Sequence, residues 1–329
     1  MSALPQSRED WLRERRSGLG GSDAAAVLGI SPWTTPLELY LRKRGELPEK
    51  DIGERGYWGT VLEEAVADRW ASLNGRRIER VKRILRHPDH HWMLGNIDRA
   101  VWSDGRRPIA RANALRIRIR QGLEVKTAGH FARDEWVDGE SDLVPMHYTA
   151  QVMHYIAITG AECWHVACLI GGQEYVQRVI ERDDELIRDL IDREQEFWAD
   201  HVIAGVPPDP RNLDDVRMLY RRDNGTALEA TPAIVEACLE LANIKAHIDG
   251  LEQRERELKL AVQQVMGEAA QLISGGQVIA TWKKNRDGAS TDWQAIVTEL
   301  ADQIPAAVIA KYTTPKHGAR PFALKLKAA

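Results

Sequence analysis

Long apolar runs are missing from this 329-residue chain. No stretch approaches the roughly 18–20 apolar residues that a membrane-spanning helix needs. The opening segment, MSALPQSREDWLRERRSG, lacks the apolar core of a secretory leader. A soluble, cytoplasmic protein with no membrane association is the expectation. Cysteine is equally scarce, with three in all, Cys163, Cys168 and Cys238. An odd, scattered set excludes a disulfide framework, a zinc finger and a four-cysteine iron–sulfur cluster. Cys163 and Cys168 fall in an apolar segment, ECWHVACLI, and read as buried thiols. A basic excess is missing too. The net charge is −4, so bulk charge gives no argument for nucleic-acid binding.

Charge distribution says more. Six arginines (Arg106, Arg107, Arg111, Arg116, Arg118 and Arg120) lie between Ser103 and Gln121 against one acid, Asp104. A local basic patch holds phosphates even when the whole chain is acidic. Arg116, Arg118 and Arg120 are therefore candidate contacts to a duplex backbone, with a solvated loop as the plainer alternative.

Local patterning predicts helices over 8–16, around AAAVLG after the SGLGGSD turn, and over PLELYLRKRGEL. A further helix runs from Trp58 to Asn74-Gly75. On it Trp58, Val61, Leu62, Ala65, Val66 and Trp70 make an apolar arc, which turns Glu63 rather than Glu64 toward the interior. Strands follow at IERVKRIL, WMLGNIDRAVW and LEVKTA. Residues 145–159 read as a helix ended by Gly160, and ECWHVACLI as a strand covered on both faces. EYVQRVI is its expected neighbour. A charged helix precedes the proline-rich VPPDPRN boundary. Beyond it a helix over 231–270 carries a heptad of Leu241, Ile244, Ile248, Leu251, Leu258, Val262 and Val265, interrupted at Glu255. The expectation is that this helix packs on two terminal strands, QVIATWKKN and RPFALKLK. The domains are then 1–210 and 211–329, the second a long helix with a small β element.

The chemistry gathers around Asp98 and the triplet Glu124-Val125-Lys126. Alternate strand residues share a face, so Glu124 and Lys126 point together and Asp98 on a neighbouring strand lies across from them. Two carboxylates and a backbone carbonyl are hard oxygen ligands suited to Mg²⁺. A lysine beside them can orient water and offset the charge that builds at a phosphate. A surface salt bridge between strands would give the same string. What sets this one apart is its apolar flanks, Glu63 on the preceding helix, and Gln151 and Tyr155 one turn apart on the following helix. His87, His90 and His91 lie in a predicted turn without a carboxylate cluster, and read as non-ligands.

Taken in order, these motifs resemble the PD-(D/E)XK nuclease superfamily, and more closely the YqaJ-like viral recombinase family with the phage lambda-type alkaline exonucleases. WLRERRSGLGGSDAAAVLGISPW is similar to that family's opening motif, WGTVLEEAV to its acidic helix, GNID to its aspartate strand, LEVK to its catalytic strand and AQVMHY to its glutamine motif. The likeness covers roughly residues 8–205. It implies an α/β (α+β) fold with a restriction-endonuclease-like core, a central mixed sheet flanked by helices. It implies Asp98, Glu124 and the Val125 carbonyl as ligands of Mg²⁺ (or Mn²⁺), with Glu63 serving the metal site. Lys126 would activate water, and Gln151 and Tyr155 would position the scissile strand. Arg15 and Ser22 match positions that bind a terminal 5′-phosphate. The implied activity is 5′→3′ exonucleolysis of double-stranded DNA ends, leaving 3′ overhangs for a single-strand-annealing protein, by a ring-shaped trimer. A RecB-like nuclease of other polarity, a structure-specific endonuclease and an inactive DNA-end-binding module are the alternatives. The proline of the superfamily signature is absent, Asn96-Ile97 standing before Asp98.

Overall fold

The computed structural model describes residues 13–48, 53–103, 105–106, 108, 119–137, 144–315 and 318–326. Arg116 and Arg118 lie outside them. The chain forms two compact units, Met1–Leu219 and Tyr220–Ala329. The division falls later than the proline-rich segment suggests because α7 (Leu213–Leu219) belongs to the first unit. Asp215 on α7 is wholly buried, accepts from the Thr35 hydroxyl at 2.7 Å and accepts from the Arg211 backbone N–H at 2.9 Å.

The first unit is built on a mixed sheet in the order β2-β5-β6-β7-β8. Its strands are Ile78–Arg80, Arg99–Val101, Gln121–Ala128, Cys163–Ile170 and Glu174–Glu181. β6 and β7 run parallel, with Glu124 opposite Val166 and Lys126 opposite Cys168; the other neighbours are antiparallel. The crossover between the parallel pair is α5 (Met146–Thr159). It stops where Gly160 takes φ +67°, a conformation that costs glycine least. A second, three-stranded sheet joins β1 (Leu19–Gly20), β4 (Met93–Gly95) and β3 (Leu85–Arg86).

Helices cover both faces of the main sheet, which explains the nearly unbroken apolar run of β7. On one face α5 packs Val152, Ile156 and Ile158 against Trp164, Val166 and Cys168. On the other, α4 (Gly53–Asn74) sets Val66, Ala67 and Trp70 on Leu123, Val125 and Ala167. Burying a side chain such as Leu123 fully contributes about 1.5–3 kcal/mol. The α4 arc holds only in its C-terminal half, since Trp58 and Val61 are exposed. Cys163 and Cys168 are buried free thiols, as their apolar setting predicts.

Two expected strands break. IERVKRIL divides into β2 and β3. WMLGNIDRAVW divides into β4 and β5, which belong to different sheets, and Asp98 occupies the turn between them rather than a strand. Period-2 patterning cannot see this break, because the apolar residues on either side keep the alternation while the chain changes sheets.

In the second unit α8 (Pro232–Met266) leads to a hairpin of β9 (Gln271–Ser274) and β10 (Gln277–Thr281). RPFALKLK is not a strand over its described residues, 320–326. The heptad residues Ile244, Ile248, Leu251, Leu258, Val262 and Val265 are exposed, so the seam of α8 is not packed on terminal strands as expected. Among the described residues, no helix is long and apolar enough to cross a membrane.

Candidate active site

β6 turns Glu124 and Lys126 to the α5 face of the sheet while Val125 anchors the strand in the α4 cluster. Glu124 is 3% exposed. Lys126 Nζ donates to Glu124 Oε1 at 2.6 Å and to Gln151 Oε1 at 3.1 Å. Gln151 Nε2 donates to the same Glu124 oxygen at 2.7 Å and to the Tyr155 hydroxyl at 3.1 Å. Tyr155, one helical turn on, donates to the carbonyl of Asn96 at 3.0 Å. Asp98 Oδ2 accepts the backbone N–H of Val125 at 2.9 Å, which ties the turn before β5 to the middle of β6. The Asp98 carboxylate is thereby fixed to the backbone of the strand that carries Glu124 and Lys126.

Glu124 Oε2 is buried and finds no hydrogen-bond partner. A carboxylate oxygen in that condition is costly unless a cation satisfies it. Asp98 carries the same tension. Burial, and then the nearby charge of Glu124, push its carboxyl up to about 8, against the opposing pull of Lys126 and the Val125 N–H. These two carboxylates suit a hard divalent cation, which would relieve both. Burial alone would depress Lys126, but Glu124 and Asp98 outweigh it and hold the ammonium above its ordinary value. Tyr155 is raised well above its ordinary value by burial, Glu124 and Asp98, so its hydroxyl keeps its proton.

Glu63 is placed otherwise. Its Oε1 lies 2.6 Å from Arg99 Nη1, and Glu64 Oε2 lies 2.8 Å from Arg99 Nη2. Among the described residues no group of three or more histidine, cysteine or acidic side chains gathers into a metal cage. Glu63 thus neutralises a buried arginine next to Asp98 instead of joining Asp98 and Glu124. Arg120, expected at a DNA backbone, is ion-paired with Glu162, its Nε 2.8 Å from Oε1. His87 spends its Nδ1 accepting from the backbone of Asp89 and His90 in the turn the sequence predicts.

Arg15 and Ser22 come together, with Arg15 Nη2 donating to Ser22 Oγ at 3.3 Å. The turn between them is held from beneath by a buried pair that the sequence did not disclose. Lys43 Nζ lies 2.6 Å from Asp23 Oδ2 and donates to the Arg15 carbonyl at 3.0 Å. Asp23 also accepts from Gly20 N–H at 2.8 Å. Burial works against ionised Asp23, but Lys43 and Arg15 more than compensate and keep its carboxyl below the usual range. Glycine is required at position 21, because a Cβ there would sit 2.4 Å from the Tyr155 ring.

The sequence reads His147 and His154 as packing or DNA-groove residues, and it gives no partner for them or for Tyr148. Lys126 Nζ stands 4.8 Å from the ring centroid of Tyr148, a cation–π contact. His154, on α5 between Gln151 and Tyr155, is wholly buried with Glu194 of α6 (Asp184–Glu196), Nδ1 to Oε1 being 2.8 Å. Its other nitrogen lies 3.0 Å from the carbonyl of Leu94. Burial opposes protonation of His154, but Glu194 and the Leu94 carbonyl raise its pKa above the ordinary value. α5 therefore grips β4 and the turn after it at two carbonyls, Leu94 and Asn96. Only the QxxxY spacing signalled any of this.

Comparison with known proteins follows the same lines. Residues 10–162 match the model of the YqaJ-like viral recombinase domain. The chain is 36% identical over 285 residues to the uncharacterized protein YqaJ of Bacillus subtilis (strain 168), covering 84% of this chain and 83% of that one. Among solved structures it is similar to an alkaline exonuclease (LHK-Exo) from Laribacter hongkongensis, at 20% identity and a TM-score of 0.48, over 60% of this chain and 94% of that one. It is also similar to a phage related exonuclease from Haemophilus somnus 129PT, at 11% identity and a TM-score of 0.40, over 57% of this chain and 96% of that one.

Proposed function

The chain belongs to the YqaJ-like viral recombinase family, and from its site we propose a Mg²⁺-dependent deoxyribonuclease that degrades double-stranded DNA from its ends. The observation that carries this reading is the quartet of half-buried Asp98 and Lys126 with buried Glu124 and Gln151, in which Glu124 Oε2 is left without a partner. Asp98, Glu124 and the Val125 carbonyl would hold the ion. Bound there, Mg²⁺ supplies a Lewis acid for the phosphate and a water of lowered pKa. Glu63 would act one step removed, by fixing Arg99 beside Asp98.

The protein's own groups divide the remaining work. Lys126, held by Glu124 and Gln151, would orient the attacking water and offset charge on the phosphate. Gln151 fixes both Glu124 and Lys126 through its amide. Tyr155 holds the Asn96 carbonyl and with it the turn that aims Asp98. Arg15 and Ser22, seated on the Lys43–Asp23 pair, would accept a terminal 5′-phosphate through charge-assisted hydrogen bonds. That role gives 5′→3′ polarity, and the product would be a 3′ overhang for a single-strand-annealing partner.

The test is digestion of linear and circular duplexes with Mg²⁺, the linear ones ending in 5′-phosphate or 5′-hydroxyl. Loss of 5′-phosphorylated linear DNA from its 5′ ends, with circles left intact, is expected. Cut circles would replace this reading with an endonuclease, and binding without cleavage would replace it with an end-binding module.

A further inference from the structure

We propose that Trp33, backed by His147 and Tyr148, is a stacking subsite for an unpaired nucleobase of the DNA strand whose backbone lies at Lys126. The inference rests on the nucleic-acid reading above and adds a ligand contact to it. Trp33 is 57% exposed, and single exposed apolar rings are ordinary on protein surfaces. Its position makes this one different. The indole stands edge-on to His147 at 4.8 Å between centroids and 6.1 Å from Tyr148. His147 and Tyr148 are 4.1 Å apart. The Tyr148 ring in turn faces Lys126 Nζ at 4.8 Å. A continuous aromatic ladder therefore leads from solvent to the lysine of the catalytic quartet, and Trp33 is its outer rung.

The rung is rigid. Ser31 Oγ accepts from the backbone N–H of Trp33 at 3.3 Å and of Thr34 at 3.2 Å. Thr35 then caps α3 (Pro36–Lys43), accepting from Glu38 N–H at 3.1 Å, and donates to buried Asp215. A segment already braced loses less freedom on meeting a ligand. A flat apolar face beside a phosphate-binding position fits a base taken out of its stack. Such stacking is sequence-tolerant because every base has a π-face. Base-pairing edges need not be read, which suits an enzyme that must accept each successive nucleotide.

Equilibrium binding of the full chain in EDTA isolates the subsite from cleavage. The probes are a duplex with a frayed, unpaired end and the same DNA with abasic residues at the unpaired positions. Base removal is expected to weaken wild-type binding between about fivefold and a hundredfold. Trp33→Ala should lose a similar factor and then be indifferent to base removal, while Trp33→Phe keeps most of the discrimination. Circular dichroism and melting check that the variants fold. If base removal weakens wild type and Trp33→Ala equally, or leaves wild type unaffected, the subsite is overturned. If discrimination stands but Mg²⁺ produces no cleavage, the nuclease reading fails and the subsite does not.

Discussion

Arg99 and Glu63 form an ion pair of 2.6 Å immediately beside Asp98, with the arginine 2% exposed. A buried guanidinium needs that partner, because removing one half of a buried pair leaves the other charge uncompensated. Glu63→Gln should therefore lower stability by about 1–3 kcal/mol, with Glu64 retaining part of the compensation. Urea melts with and without Mg²⁺ separate this role from ligation. If Mg²⁺ stabilises the variant as much as wild type, Glu63 holds Arg99 and not the ion.

Asp98→Asn keeps an acceptor for the Val125 N–H and removes a strained charge. Cleavage should fall by more than about a hundredfold, while the metal-free variant melts higher than wild type at pH 8. A variant that melts lower, or that cleaves near the wild-type rate, would take Asp98 out of the proposed centre.

The pH dependence follows from the same carboxyl. Its folded pKa of about 8 lies above the ordinary 3.8, so the native state binds more protons than the unfolded one between those values. Stability of the metal-free protein should then decline as pH rises from about 4 to about 8 through this group. A cation must displace that proton, so Ca²⁺ affinity, measured calorimetrically without turnover, should fall as pH drops below about 8. Affinity that is flat from pH 6 to pH 9 contradicts the assignment.

His154 works in the same sense. Its folded pKa is raised above 6.5, so the stability it contributes is complete below that value and is lost as pH climbs through the folded pKa. Glu194→Gln should destabilise by about 3–5 kcal/mol and flatten this alkaline decline. An unchanged alkaline limb in the variant would assign the decline to other groups.

Gly21→Ala forces a Cβ against the Tyr155 ring. The expected cost is about 1–3 kcal/mol, with reduced cleavage because Tyr155 holds the turn that carries Asp98. Tyr155→Phe in the Gly21→Ala background should not restore cleavage, since the ring remains and the hydroxyl is lost.

Much of the site was legible because it is local. Glu124 and Lys126 share a face by strand alternation, and Gln151 and Tyr155 meet by helical spacing; the structure bears out both contacts. The end of α5 was announced by Gly160. Asp98 was found, but its setting was not, because residues 93–101 keep an apolar alternation across a change of sheet. Arg99 passed unnoticed for a related reason. A strand reading gives it a face but no partner, and its carboxylates lie a helix away on α4.

By itself, then, the sequence determined what local spacing in the first unit carries: the strand face shared by Glu124 and Lys126, the helix face shared by Gln151 and Tyr155, the Gly160 stop, the two-faced burial of β7, and the order of motifs that marks the family. Tertiary structure alone decided which charges meet. Pairing Glu63 with Arg99, Asp23 with Lys43 and His154 with Glu194, and leaving Glu124 one bare oxygen, depends on desolvation. The cost of a buried charge is set by neighbours brought in from distant segments, and no spacing along the chain records it.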